Sequence, residues 1–427
     1  MTLYNADFEK AVRIGRPPNI TRLFPNSKAL LVSGKYIDNA MIQKGGCMTI
    51  AANARSHIII RGVLQAAQKA NAAILIEIAR SEGGADAYCP VSLWNMARQV
   101  DAIANELGIT IPIAIHADHY GIKKESDLAG AREEIPSLFE AGITSIAIDA
   151  SHMPDALNLL TNIAVSDLIP TWAGLETEVG EIKGNQGLST PEEALFLIQG
   201  LNAHGIFPNW IALNNGTTHG IEANEDGIQI ELTAKIHNAL APYRISGAQH
   251  GTSGNDAAKL RRIARETATT KANVATALQM IGWGMEVNAF GNAVMDANGD
   301  VKKVAGEGLD EKLWAEMKAY ADSKGIQGSN FKKLNLPFEN KILGQPRAIR
   351  ERMAARIEAF TYDLLVNVFD ARDTAPLVIA EILEKESYDP GPKAQRMEDP
   401  AQWTREKIME KAALLNPDKG PEGDFDE

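Results

Sequence analysis

The sequence predicts an α/β protein, a (β/α)8 TIM barrel with helical extensions at its amino- and carboxyl-terminal ends. Three observations predict it. Between about residues 45 and 277, short apolar runs alternate with segments of helical periodicity. The alternation gives eight strands, each followed by a helix, over roughly 230 residues, the size of such a barrel. Polar residues able to do chemistry fall just past the apolar runs, where barrel strands converge on one face. The competing open, doubly wound sheet would carry a glycine-rich first turn, which this chain lacks.

The expected strands are 47–52, 73–79, 111–116, 145–150, 174–179, 210–213, 244–248 and 272–275. Helical patterns lie between them at 57–70, 93–107, 127–141, 191–203 and 227–240. The turn Thr190-Pro191-Glu192-Glu193 supplies an N-cap, a proline suited to a first turn, and acids that complement the helix dipole. Gly108, Gly142 and Gly205 stand where helices should end. Residues 1–44 read as a packing segment closing the bottom of the barrel. Residues 45–370 read as the barrel domain, with an insertion at about 290–335 that includes the turn Asp296-Ala-Asn-Gly-Asp300. Residues 348–368 form a long amphipathic helix, either the last barrel helix or an oligomer contact. Residues 371–427 read as a helical extension with a partly disordered tail, since proline, glycine and charge accumulate from Asp389.

The chemistry concentrates in Ile115-His116-Ala-Asp118-His119, where two imidazoles and a carboxylate follow an apolar strand within four residues. Histidine accounts for 8 of 427 residues, yet His119, His219 and His250 each follow an apolar run near glycine. Any one alone also reads as a hydrogen-bonded histidine at a helix start. Together, with Asp149, Glu176 and Glu178 at neighbouring strand ends, they point to a divalent-metal site. Three neutral imidazoles leave a zinc-like ion an open position, as catalysis requires. Gly251-Thr252-Ser253-Gly254 reads as a phosphate-binding turn at a helix start, or as a plain N-cap. Ser81-Glu82-Gly83-Gly84 adds either a second hydroxyl or only a loop.

Composition narrows the partners. A net charge of -12 argues against nucleic acid and anionic membrane. Cys47 and Cys89 form no CxxC pair, and no apolar run approaches the ~18 residues of a membrane span. A cytoplasmic protein, still open to binding a small phosphate, is expected from composition.

Several blocks then occur in order: His116-Ala-Asp118-His119, Ser145-Ile-Ala-Ile-Asp149-Ala-Ser151-His152, Glu176-Thr-Glu178-Val-Gly180, Asn215-Gly-Thr-Thr-His219-Gly220 and His250-Gly-Thr-Ser-Gly254. This succession resembles the signature of class II, metal-dependent fructose-bisphosphate aldolases, and Phe338-Glu-Asn-Lys-Ile-Leu-Gly-Gln-Pro-Arg347 resembles the segment before that family's last helix. The resemblance spans roughly residues 45–370. It implies a homo-oligomer that carries out retro-aldol cleavage of a phosphorylated ketose, most directly fructose 1,6-bisphosphate, as in glycolysis and gluconeogenesis. A divalent ion held by His119, His219 and His250 would polarise the ketose carbonyl and stabilise the enediolate. Asp118 would exchange the proton of the hydroxyl beside the cleaved bond, and Glu178 would offer a second metal position. Gly220, Gly251, Ser253 and Asn273 would hold the dihydroxyacetone phosphate end, where the family often also uses a monovalent cation.

Two departures bear on substrate. Where the family's last strand runs Asn-x-Asp-Thr-Asp, then Leu-Arg, this chain has Asn273-Val-Ala275-Thr276-Ala277-Leu278-Gln279. The family's loop glutamate is replaced by Asn185 or Gln186, neither a base at neutral pH. Glu181 stands nearby, either as its substitute or as a solvated surface acid. Three other readings are weaker. A Schiff-base aldolase needs a buried lysine at a strand's carboxyl end, whereas Lys271 falls before its expected strand and Lys183 in a loop. A metal amidohydrolase needs His-x-His on the first strand, which ends here at Asn53. A non-catalytic sugar-phosphate-binding subunit would not need Asp118.

Overall fold

Parallel strands buried on both faces must be apolar nearly throughout, and this chain's strands are. The computed structural model describes residues 6–180, 187–216, 227–252, 255–288, 292–296 and 301–415. Its strands are β1 Leu30–Leu31, β2 Thr49–Asn53, β3 Ile74–Ala79, β4 Pro112–Gly121, β5 Ser145–Asp149, β6 Gly174–Val179, β7 Trp210–Leu213, β8 Ser246–Gln249 and β9 Thr269–Val274. From β2 to β9 each strand pairs in parallel with its sequence neighbours, and β2 pairs with β9 to close an eight-stranded barrel. The expected (β/α)8 architecture is therefore the observed one.

The ninth strand, β1, had no counterpart among the expected strands. Its two residues pair with Pro112 and Ile113 at the start of β4, while β5 pairs with β4 only from His116 onward. The amino-terminal segment thus fills the part of the β4 edge that β5 leaves open, and Val32 N–H continues the ladder to Ile113 O at 2.9 Å.

Helix ends follow the local chemistry. The helix Pro191–Ala203 carries a reciprocal capping box, with Glu193 N–H donating to Thr190 Oγ1 at 3.2 Å and Thr190 N–H to Glu193 Oε2 at 2.9 Å. Helix Leu128–Ala141 ends on Gly142 at φ 110°, where a Cβ would also lie 2.5 Å from the Ala97 side chain. The long helix near the carboxyl terminus, Arg347–Asp363, packs as a barrel helix. Gly62 of the helix His57–Ala70 lets it approach so closely that a Cβ there would lie 2.6 Å from Ile357.

Two departures in strand length matter for the site. β4 does not stop at His116 but runs to Gly121, and β9 begins at Thr269, so Lys271 lies inside the strand. Charged and imidazole residues ended the apolar pattern in the sequence, but here they face a polar barrel interior that gives them partners.

Candidate active site

Side chains alternate along a strand, so consecutive residues normally face opposite sides. Asp118 and His119 break that rule. The β4–β5 register shifts between Ala117 and Tyr120, and His119 adopts φ 40°, a left-handed conformation rare outside glycine. The bulge turns both side chains toward the same cluster. A strained backbone of this kind costs on the order of 1–3 kcal/mol and is characteristic of functional sites.

The cluster forms at the carboxyl ends of β4, β5, β6 and β8. His119 Nε2 lies 2.6 Å from His250 Nδ1, with the rings edge-to-face and their centroids 4.2 Å apart. Asp118 Oδ2 is 3.9 Å from His119 Nε2. On its other side, His119 Nδ1 is 3.0 Å from Glu178 Oε1 and 3.5 Å from Asp149 Oδ2. All five side chains are buried. Among these five side chains, two donor sets have ligand atoms mutually within 4.8 Å: Asp118, His119 and His250, and His119, Asp149 and Glu178. They share His119. Imidazole and carboxylate donors at this spacing suit a divalent ion such as zinc.

Partners fix the orientation of these groups. Asp118 Oδ1 accepts from Asn273 Nδ2 at 3.0 Å, and Asp149 Oδ1 accepts from Ser151 N–H at 3.0 Å and Ser151 Oγ at 2.6 Å. His250 Nε2 faces Glu176 Oε1 at 2.8 Å. Burial works against the charge on Asp118, but His119, Lys271 and His250 outweigh it and hold the carboxyl below its usual range. Glu178 goes the other way. Burial and the nearby Asp149 push it well above the ordinary value, against the pull of His119.

Of the residues singled out in the sequence, Asp118, His119, His250, Glu178 and Asn273 come together. Gly251, at φ 59°, follows directly after His250, and Thr252 Oγ1 donates to Asn273 O at 2.6 Å. Ser81 lies exposed on the short helical turn Arg80–Gly83, and its neighbour Glu82 turns inward to Asn53 and Arg55 instead. Glu181, His219, Gly220 and Ser253 lie outside the described residues.

The sequence reading missed a charged layer below this cluster. Lys271 is fully buried, with Nζ 2.8 Å from Glu176 Oε2, 3.1 Å from His116 Nε2 and 3.3 Å from Glu77 Oε2. Since Lys271 donates to His116 Nε2, the other ring nitrogen carries the proton that reaches Ser145 Oγ at 2.9 Å. Burial alone would lower the affinity of Lys271 for its proton, but Glu176, Glu77 and Asp118 outweigh it and raise the pKa. A Schiff-base nucleophile must be an unprotonated amine, so the surroundings of Lys271 oppose that chemistry, although it does lie inside the barrel. A signal was present: Glu77 is the lone charge in the run Ile74–Ala79, and Lys271 shares strand alternation with Asn273. A charge in a strand buried on both faces requires a partner.

Histidines and carboxylates gathered at the carboxyl-terminal mouth of a (β/α)8 barrel define a metal-dependent barrel enzyme. Comparison with known proteins makes this specific. Residues 36–328 match the family model described as fructose-bisphosphate aldolase class-II. A fructose-bisphosphate aldolase of Streptococcus pneumoniae serotype 4 is 29% identical over 280 residues, which cover 63% of this chain and 85% of that protein. One from Streptococcus pyogenes serotype M3 is 26% identical over 314 residues, covering 70% and 95%. Among solved structures, a fructose-bisphosphate aldolase from Campylobacter jejuni superposes with TM-score 0.54 at 17% identity, covering 81% of this chain and 97% of that one. The YdjI aldolase of Escherichia coli K12 gives TM-score 0.53 at 16% identity, covering 81% and 100%. The chain belongs to the class II fructose-bisphosphate aldolase family. It is thus an aldolase, a carbon–carbon lyase of a family that generally depends on a divalent metal.

Proposed function

We propose that this enzyme cleaves and forms a phosphorylated ketose by a zinc-dependent aldol reaction, with fructose 1,6-bisphosphate as substrate and dihydroxyacetone phosphate and glyceraldehyde 3-phosphate as products. The observation that carries the reading is the convergence of Asp118, His119 and His250 on one space at the barrel mouth. His119 and His250, joined by His219, would hold the ion, with Glu178 as an alternative ligand. When bound, the ion supplies a positive charge that polarises the ketose carbonyl.

The remaining work falls to the chain's own side chains. Asp118, oriented by Asn273, accepts the proton of the hydroxyl on the carbon beyond the breaking bond, so that this carbon becomes the aldehyde. The electron pair of the broken bond stays with the ketone-bearing fragment, and Glu181 exchanges the proton at that carbon. Gly220, Gly251 and Ser253 would receive the phosphate on backbone N–H groups and a hydroxyl, with a monovalent cation balancing its charge. Ser81 adds a hydroxyl from the rim. We assign this chemistry to residues 45–370.

The test is coupled detection of dihydroxyacetone phosphate from fructose 1,6-bisphosphate before chelation, after it, and after zinc is restored. Turnover lost on chelation and recovered with zinc is the expected result. A second substrate reading is supported by Ala275 and Ala277, which stand where the resemblance to the family implies acids, so contacts beyond the cleaved bond would differ. If the zinc-loaded protein leaves fructose 1,6-bisphosphate intact but cleaves another ketose 1-phosphate, this second reading replaces the first.

A further inference from the structure

The charged layer beneath the mouth takes no part in the reaction outlined above, yet it touches the ligand candidates twice: Lys271 Nζ lies 3.7 Å from Asp118 Oδ1, and Glu176 reaches His250. Glu176 on β6 is a bridge. Its Oε2 lies 2.8 Å from Lys271 Nζ, and its Oε1 lies 2.8 Å from His250 Nε2. A neutral imidazole has one donor and one acceptor nitrogen. With Glu176 accepting at Nε2, the lone pair of His250 sits on Nδ1, the nitrogen that faces His119 Nε2 at 2.6 Å. The ring is thereby presented to the shared space by the correct atom.

Glu176 can do this only if its own carboxylate is fixed. Glu77 Oε2 also lies 3.3 Å from the ammonium, and Asp118 Oδ1 lies 3.7 Å from it. Three carboxylates from β3, β4 and β6 therefore converge on a single cation carried by β9. None of these side chains is more than slightly exposed. Remove the cation, and three buried carboxylates are left to repel one another. Serving as scaffold alone, Lys271 would need no such link to His250.

We propose that Lys271 is a positioning residue for the metal centre: by anchoring Glu176 Oε2 it leaves Oε1 to fix the tautomer and ring orientation of His250, and so sets the affinity for the divalent ion. The proposal rests on the reading that His250 is a metal ligand.

Zinc affinity of the full chain, measured by competition with a chromophoric chelator, tests it together with the visible absorption of the cobalt(II)-substituted protein. Lys271→Met should bind zinc about 10–100-fold more weakly and shift the cobalt bands, because the geometry at His250 relaxes. Glu176→Gln should act in the same direction, and the double variant should be no weaker than the more affected single one, since both act through one path. Should Lys271→Met fail to fold, Lys271→Met with Glu77→Leu removes the cation together with one stranded carboxylate. Weakened zinc binding is still expected there, because Glu176 remains unanchored. Wild-type zinc affinity and cobalt spectrum in either folded variant would overturn the proposal. A wild-type protein that binds no zinc would instead overturn the metal reading on which it stands, so the two failures are distinguishable.

Discussion

At the scale of single residues, the site depends on a carboxylate and its amide partner. Asp118 is buried, held by Asn273, and kept below the usual carboxyl range, as suits a group that must accept a proton from a hydroxyl. Asp118→Asn keeps the shape and removes the acceptor charge. It should lower kcat by about 10²–10⁴-fold while zinc content stays stoichiometric. Asn273→Ala removes only the orienting hydrogen bond, so a milder loss of about 10-fold is expected. Steady-state kinetics with metal analysis on both variants checks this pair. Equal losses would mean that Asn273 contacts substrate directly rather than acting through Asp118. His119 is the third instructive residue. Its left-handed backbone is the reason two consecutive side chains enter one cluster, and no pattern of residue types in the sequence announces a bulge.

At the scale of elements, legibility followed hydrophobic contrast. β6, β7 and the helices His57–Ala70 and Pro191–Ala203 were readable to the residue, because apolar runs there end at turns or caps. β4 and β9 were read too short because polar residues inside the barrel imitate a strand end. β1 has two residues and exists only because β5 leaves part of the β4 edge open, a tertiary cause with no local signature. The ligand candidates were legible since histidine is scarce in this chain, whereas the pairing of Lys271 with Glu77 and Glu176 required the barrel to be closed. One element contact carries a pH signature. His237, on the helix Ile230–Leu240, is buried over β8, with Nδ1 accepting from Ala268 N–H at 3.1 Å. Burial lowers its pKa from 6.5 to about 4. The unfolded chain therefore binds the extra proton first as pH falls. Stability from the neutral ring is intact above about 6.5, declines between 6.5 and about 4, and is gone below. Relative to His237→Gln, the wild type should lose about 3 kcal/mol across that window in urea titrations. A difference that stays flat with pH would show that the ring does not titrate there. The same packing explains Gly247, where a Cβ would lie 2.3 Å from His237 Cε1, so Gly247→Ala should cost about 1–3 kcal/mol by overpacking.

At the scale of the whole molecule, the two ends of the barrel do different work. The end opposite the site is covered by the helix Gly34–Lys44, which packs on β3, β4, β6 and β9, and over it by the last part of the chain. After the helix Ala375–Lys385 the backbone crosses the amino-terminal ends of β7 and β8. Lys35 pairs with Asp389 at 3.1 Å, and Lys393 pairs in the opposite sense with Asp38, on the same helix Gly34–Lys44. Lys393 Nζ also donates to Asn209 O at 2.9 Å and Ser246 Oγ at 2.8 Å. Further along, Trp403 packs on Phe196 with ring centroids 5.6 Å apart, joining a second apolar cluster outside the barrel. Asp38 is fully buried, and its other partners are the neutral donors Thr270 Oγ1 at 2.7 Å and Asn209 Nδ2 at 3.4 Å. Lys393→Ala would strand that charge, and removing one partner of a buried pair costs about 3–5 kcal/mol. Lys393→Met combined with Asp38→Asn removes both charges and should recover much of the loss. Because the metal candidates sit at the carboxyl ends of the strands, zinc affinity should be unchanged in the folded fraction of either variant. Urea midpoints and chelator competition on the same samples decide it. A Lys393→Ala protein as stable as the wild type would mean that the carboxyl-terminal segment lies on the barrel without sealing it. A loss of zinc affinity in step with stability would mean that the two ends are mechanically coupled through β7 and β8.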